Sequence, residues 1–424
     1  MNKLHLKNGL VVDPSTQTNE IVDIWVDGEK ISRTKPVGSD QEFEILDLTG
    51  KIVMPGLIDL RSHGRNLSGG GVENIESLSR AAARGGFTSL LLMPDISPVF
   101  DSPGAIRYAK ECAEKNSYVN VKFAGALSDK LLGKDLAPIG SLRDAGVCVI
   151  TDCPKSTQNN EIFVKGVEYA SMFGLPVIEF PREESLSKNG NAHDSAVSLS
   201  MGLGGYPRMA EEIFVQRAIT VSKNLDAHIH LSSISSKGSV ELISDAKDRG
   251  INITADTTPH HLILTDQKIS GYDTNFKTHP PLREQLDREA LKSGLMDGTI
   301  DAICSAHEPF QQHHKNAEYD KAPAGVTSLE TCLCALIDEF KEIQEVSSFK
   351  LAEWLSYNPA KIINSDRGTL EDGCKADFII LNLDKEWVYN NIESQSLSGN
   401  NPFQNQKFSS FVENTYVNGR LVSL

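Results

Sequence analysis

Positive charge is the first thing this sequence lacks. Its 424 residues carry 42 Lys and Arg against 57 Asp and Glu, a formal net charge of −15. A nucleic-acid binder needs a basic face to displace counterions, so general nucleic-acid binding is excluded, and anionic membrane surfaces with it. A local basic pocket stays compatible with this balance, because net charge describes the whole surface. No run approaches the roughly 20 apolar residues of a membrane helix. Met1-Asn2-Lys3-Leu4-His5-Leu6 lacks the charged-then-apolar order of a secretory signal. The seven cysteines (112, 148, 153, 304, 332, 334 and 374) are scattered and form no CxxC pair, so reduced thiols in a cytoplasmic protein are expected. Compositional bias is also missing. The 32 Gly, 18 Pro and 23% charged residues are ordinary for a globular chain.

What is present is a β-texture at both ends and a strand–helix alternation between them. Leu4 to Val12, Ile21 to Val26 and Phe43 to Leu48 read as short strands punctuated by Asn8-Gly9 and Asp27-Gly28. The far end repeats the pattern with Ala376 to Leu381 and a hairpin whose turn is Asn418-Gly419. Neither end has the apolar surface to stand alone, so the two are expected to join as a small β-sandwich domain, residues 1–52 with 366–424. Residues 53–365 alternate strand with helix, from Glu76–Arg84 and Thr88–Met93 through the long helix Met209–Leu225 to Ser328–Phe340. Repeated βα units of this length and number predict an α/β fold, a (β/α)8 TIM-type barrel with its chemistry at the C-terminal strand ends.

Those ends carry motifs. The first such strand is read as Ile52 to Leu60, and Pro55-Gly56-Leu57-Ile58-Asp59-Leu60-Arg61-Ser62-His63-Gly64-Arg65 runs through its end. Gly85-Gly86-Phe87-Thr88, Met93-Pro94-Asp95, Thr257-Thr258-Pro259-His260-His261, Pro280-Pro281-Leu282-Arg283, Ala322-Pro323-Ala324-Gly325-Val326, Asn358-Pro359-Ala360-Lys361 and Asp372-Gly373-Cys374-Lys375-Ala376-Asp377 come after it in order. In this order the blocks resemble the amidohydrolase superfamily, and within it the cyclic amidases related to dihydroorotase, over nearly the whole chain.

The resemblance implies a metal site of His-x-His, an Asp, two single His and a final Asp acting as general base. Here the matching positions read Arg61, His63, Asp152, Phe180, Ser233 and Ala306. Four of the six are replaced, and only His63 and Asp152 survive as remnants. A shifted gap would give the place of Ser233 to His230. A hydrolytic zinc site needs about three protein ligands and an open position for water, so no cofactor is expected. The charge of Arg61 is expected where the metal would lie, neutralising Asp152. Arg65 matches the family's carboxylate-binding Arg, with its helper positions at Asp95 and His279. It is either a ligand anchor or an ion-pair partner. Cys153 is either a core thiol or a soft ligand, and Gln311 to Asp320 corresponds to the family's mobile flap.

The lost ligands and kept frame resemble a subgroup of non-catalytic dihydroorotase-like chains that accompany aspartate carbamoyltransferase in pyrimidine synthesis. That resemblance implies a structural or regulatory partner of the transferase, in an oligomeric assembly. The alternative is an active cyclic amidase, interconverting N-carbamoyl-aspartate and dihydroorotate through a rearranged zinc site. It would draw on His63, Asp152, His230 and one of Glu179 or His307. A third reading, a cytoskeletal or signalling adaptor, lacks the long basic tail of such relatives. With the metal-site acid at Ala306 gone, the acidic excess is expected mostly on the outer surface.

Overall fold

The computed structural model describes residues 3–36, 42–70, 73–343 and 346–424. Eight parallel strands form one sheet in sequential order: Leu57–Ser62, Phe87–Leu92, Asn120–Ala126, Val149–Thr151, Val177–Glu179, Ile229–Leu231, Ile253–Thr257 and Ala302–Ile303. The first and last strands meet through Ser305, whose N–H and hydroxyl donate to Asp59 at 2.6 and 2.8 Å, and through His63 N–H donating to His307 O at 2.9 Å. Helices such as Ile75–Arg84, Pro103–Asn116 and Met209–Leu225 pack outside. Ile58, Leu60, Leu91, Ala124, Val149, Ile178 and Ala302 fill the interior. This is the expected barrel.

The β-domain is a sandwich built from both ends of the chain. A four-stranded sheet (Lys30–Ser32, Ile24–Asp27, Lys3–Lys7, Glu44–Asp47) shares a core with a six-stranded one (Arg420–Leu421, Phe411–Val417, Phe378–Asn382, Ile52–Pro55, Leu10–Asp13, Thr18–Ile21). Alternation along Phe378–Asn382 sorts its faces. Phe378 and Ile380 enter the sandwich core, while Ile379 and Leu381 join the core around the barrel.

Two boundaries differ from the sequence reading. The run from Ile52 to Leu60 is not one strand. Ile52–Pro55 pairs with Phe378–Asn382, and the barrel begins at Leu57. Gly56 is the joint, since a Cβ there would lie 2.1 Å from Thr88 Oγ1. Farther on, the segment with strands Trp387–Val388 and Lys407–Phe408 leaves the β-domain. Its Tyr389, Phe403 and Phe408 pack on Leu264, Leu282 and Cys334 of the barrel. The placement of charge differs too. Among the described residues twelve carboxylate side chains are buried against four cationic ones (Arg61, Lys277, Arg283 and Lys315), so much of the acidic excess is internal.

Candidate functional site

Arg61 is the centre of the barrel mouth. It is the last residue but one of the first strand and is only 1% exposed. Its Nε donates to His63 Nε2 at 3.2 Å, and its Nη1 donates to Ser233 Oγ at 2.7 Å and to His279 O at 3.3 Å. The guanidinium lies 4.5 Å from the centre of the Phe180 ring. The structure therefore brings together four of the six positions read from sequence, with Arg61 as the hub. Burial opposes the Arg61 charge, and nearby groups including Cys153 and Glu308 restore it, leaving its pKa raised.

The acid facing Arg61 is Glu308, not Asp152. Glu308 Oε2 lies 3.6 Å from Arg61 Nη2, and its Oε1 lies 3.8 Å from Arg65 Nη2. Asp152 is already saturated. The N–H groups of Leu127 and Ser128 donate to its Oδ1 at 3.1 and 2.9 Å, and the hydroxyls of Ser128 and Thr157 donate to Oδ2 at 2.6 and 2.8 Å. A carboxylate offers about four lone-pair sites, so nothing is left for a metal. Burial raises the Asp152 pKa against those bonds. The expected neutralisation of Asp152 by Arg61 is thus replaced by local capping. Sequence missed Glu308, although it follows Ala306 by two residues, because nothing local tells a satisfied acid from a free one.

His63 joins Asp95 through Nδ1 at 2.7 Å. Burial disfavours charge on this ring and the Asp95 carboxylate favours it. Arg61 Nε–H nevertheless points at Nε2, and a second proton there would set two donors face to face. The geometry selects the neutral ring with its proton on Nδ1. Arg65 is held by Pro309 O at 2.7 Å, by the Phe310 ring at 4.1 Å and by Asp95 at 3.8 Å, so it has ion-pair partners within the chain. His279 turns its Nε2 to Arg182 Nη1 at 2.6 Å, and burial holds its pKa well below the usual value.

The residues of the rearranged metal set lie apart. His230 uses both nitrogens on the seventh strand, Nδ1 with Thr254 Oγ1 at 2.9 Å and Nε2 with Asp256 Oδ2 at 2.8 Å. Glu179 faces Arg217 at 2.7 Å on the neighbouring helix, and burial pushes its pKa up to about 7. His307 Nδ1 accepts from Ser328 N–H at 3.2 Å, and burial lowers its pKa to about 3. Ser233 and Ala306 both have left-handed backbones, φ +59° and +50°, an unusual conformation for residues carrying a Cβ.

A zinc ion does not fit this donor set. Arg61 Nη2, a buried donor without a hydrogen-bond acceptor, points into the mouth beside Glu308, and a cation there would meet another cation. Among the described residues one group of three possible ligands converges, His193 with Glu284 and Asp287. Arg208 bonds both acids at 2.5 and 2.6 Å, and His193 Nδ1 accepts from Arg283 Nη1 at 3.0 Å, which leaves the proton on Nε2. That ring has no lone pair to offer.

An eight-stranded parallel barrel presents its site at the C-terminal ends of the strands, where these residues lie. The family model of dihydro-orotase-like proteins matches residues 50–239, and that of the amidohydrolase family matches residues 219–422. The chain is 37% identical over 420 residues to a dihydroorotase from Pelotomaculum thermopropionicum, covering 99% of this chain and 98% of that protein. It is 38% identical over 420 residues to a dihydroorotase from Acetivibrio thermocellus, with 98% of each chain covered. The fold matches L-hydantoinase (dihydropyrimidinase) from Arthrobacter aurescens with a TM-score of 0.87 at 23% identity, over 100% of this chain and 96% of that one. The chain belongs to the dihydroorotase-like family of the amidohydrolase superfamily.

Proposed function

We propose that this chain is a dihydroorotase homologue of pyrimidine biosynthesis that has given up ring opening and serves as a structural or regulatory partner of aspartate carbamoyltransferase. The observation that carries the inactive half is the Arg61 guanidinium, bonded to His63, Ser233 and His279 in the space between the ligand positions. Ala306 adds to it. Opening a cyclic amide needs an activated water and an acceptor for its proton, and a methyl group accepts none. The neighbouring acids are committed elsewhere, Asp152 to its caps and Glu308 to two arginines. On this reading the chain needs no zinc, and its barrel serves the assembly as a rigid body. The partner half rests on the resemblance of these losses to the transferase-associated subgroup.

The test is co-purification of the full chain with the aspartate carbamoyltransferase of the same organism, followed by metal analysis and a dihydroorotate ring-opening assay. A stable mixed complex with substoichiometric zinc and no ring opening is expected. One zinc per chain together with turnover overturns the inactive half. Separate elution of two independently active proteins overturns the partner half.

A further inference from the structure

Residues 309–326 follow the eighth strand and run from Arg65 at the mouth, held by Pro309 O and the Phe310 ring, to Tyr319, which packs with Ala192 and Ile269. Two buried lysines fasten this segment. Lys315, at the end of its short helix Gln312–Lys315, donates from Nζ to Pro323 O and Gly325 O, each at 3.0 Å. Lys277, from the stretch after the seventh strand, donates to Tyr319 O at 2.6 Å, Ala322 O at 2.7 Å, Asp320 O at 3.3 Å and Asn191 Oδ1 at 2.8 Å. Among the described residues neither lysine makes an ion pair with a carboxylate. Both ammoniums are solvated by neutral oxygens, as a bare monovalent cation would be. The backbone closes the same loop, with Gly325 N–H donating to Lys277 O at 2.8 Å and Asn400 Nδ2 donating to Gly325 O at 3.0 Å and Glu308 O at 3.1 Å.

We propose that Lys277 and Lys315 act as tethered cations that latch residues 309–326 shut at the barrel mouth, so that this cover is a fixed part of the fold. Without the Lys277 ammonium four oxygens would face one another with no donor between them, and each would need water. The latch therefore opens when a cation is lost. Burial lowers the pKa of each lysine to about 8. Asp320 opposes that shift at Lys277, and the Tyr319 ring lies 5.3 Å from its Nζ. At Lys315, Glu308 and Asp273 favour the charge and Lys277 disfavours it. A lowered lysine pKa puts the charged form on the acid side, so the cover is held at neutral pH and loosens as pH rises past about 8.

Hydrogen–deuterium exchange of the full chain tests the latch without reference to activity or partner. Peptides within 309–326 are read against peptides from the strand Phe411–Val417. In Lys277→Met we expect the cover to exchange at least about tenfold faster, the cost of one lost charge-assisted bond, while the reference stays as in the wild type. In Lys277→Ala, ammonium chloride should restore protection and choline chloride should not. Unchanged protection in the Lys277→Met, Lys315→Met double variant overturns the proposal, as does loosening that ammonium fails to reverse. If the variants do not fold, the wild type decides. After correction for intrinsic rates, the ratio of cover to reference exchange should rise from pH 7 to pH 9, and a flat ratio overturns the latch. Neither result bears on zinc content or on binding to the transferase, so this proposal and the proposed function can fail separately.

Discussion

Arg61 shows how one side chain can both fill a site and make it depend on its neighbours. Its hydrogen bonds go to the ends of the first and sixth strands and to the loop carrying His279, and the Phe180 ring lies against its guanidinium. Removing one member of a buried ion pair is strongly destabilising because the remaining charge is left without compensation. Arg61→His is therefore expected to lower stability by about 2–4 kcal/mol in urea unfolding, less than a fully orphaned acid because Arg65 still faces Glu308. Zinc should stay substoichiometric in metal analysis, since Asp152 and His230 have no free lone pair. Full stability with one bound zinc would refute both points. The mouth residues were legible through the family resemblance, whose motifs mark the positions that fall at the strand ends. Their pairing was not. Asp152 reads as a surviving ligand position until Leu127 and Ser128 are seen to bring their N–H groups to it across the chain.

Elements divide the same way. Met209–Leu225 matches its sequence reading to the residue, with acids in its first turn and a left-handed Asp226 ending it. Ser328–Phe340 does not, for the helix starts only at Cys332. Ser328 spends its N–H on His307 and its hydroxyl on Ser305 O, so residues 328–331 serve a loop that closes the barrel. The joint at Gly56 is the clearest miss. A continuous apolar stretch gives no sign that half of it belongs to another sheet, and only the approach of Thr88 shows why glycine is required. Gly56→Ala should cost about 2–3 kcal/mol through overpacking, measured as a drop in urea midpoint at unchanged slope. A neutral outcome would mean that the two sheets can slide apart at no cost.

At the scale of the molecule the formal charge misleads. Twelve buried carboxylates contribute to a count that solvent never sees, and Glu73 and Glu179 are each pushed up to about 7 by burial. Such groups hold protons that the unfolded chain releases, so above their unfolded pKa their contribution falls as pH rises. Buried histidines work in the other direction. Burial lowers His228 and His261 to about 4 and His307 to about 3. The unfolded chain takes up protons at these rings below about pH 6.5 while the folded one does not, so their contribution is complete above that pH and lost on acidification. His307→Gln should reduce the pH 5–7 slope of stability by up to about one proton, or about 1.4 kcal/mol per pH unit. Urea midpoints across that range measure it, and an unchanged slope would mean that His307 is already protonated in the fold. The sequence displayed the barrel and the sandwich, because periodicity and turn residues are local. It did not display which charges are internal, because burial belongs to the whole chain.

The left-handed backbones of Ser233 and Ala306 carry a consequence of another kind. Holding a Cβ-bearing residue in that region costs on the order of 1 kcal/mol; Ser233 N–H there donates to Asp256 Oδ1 at 2.6 Å, while Ala306 bonds through no side chain. Side chains change with single substitutions, but a loop's path is shared with everything packed around it. On the function proposed above, the mouth keeps the posture of a ligand-bearing relative, and a path to hydrolysis would have to rewrite side chains, Arg61 first, on a frame already bent to receive them.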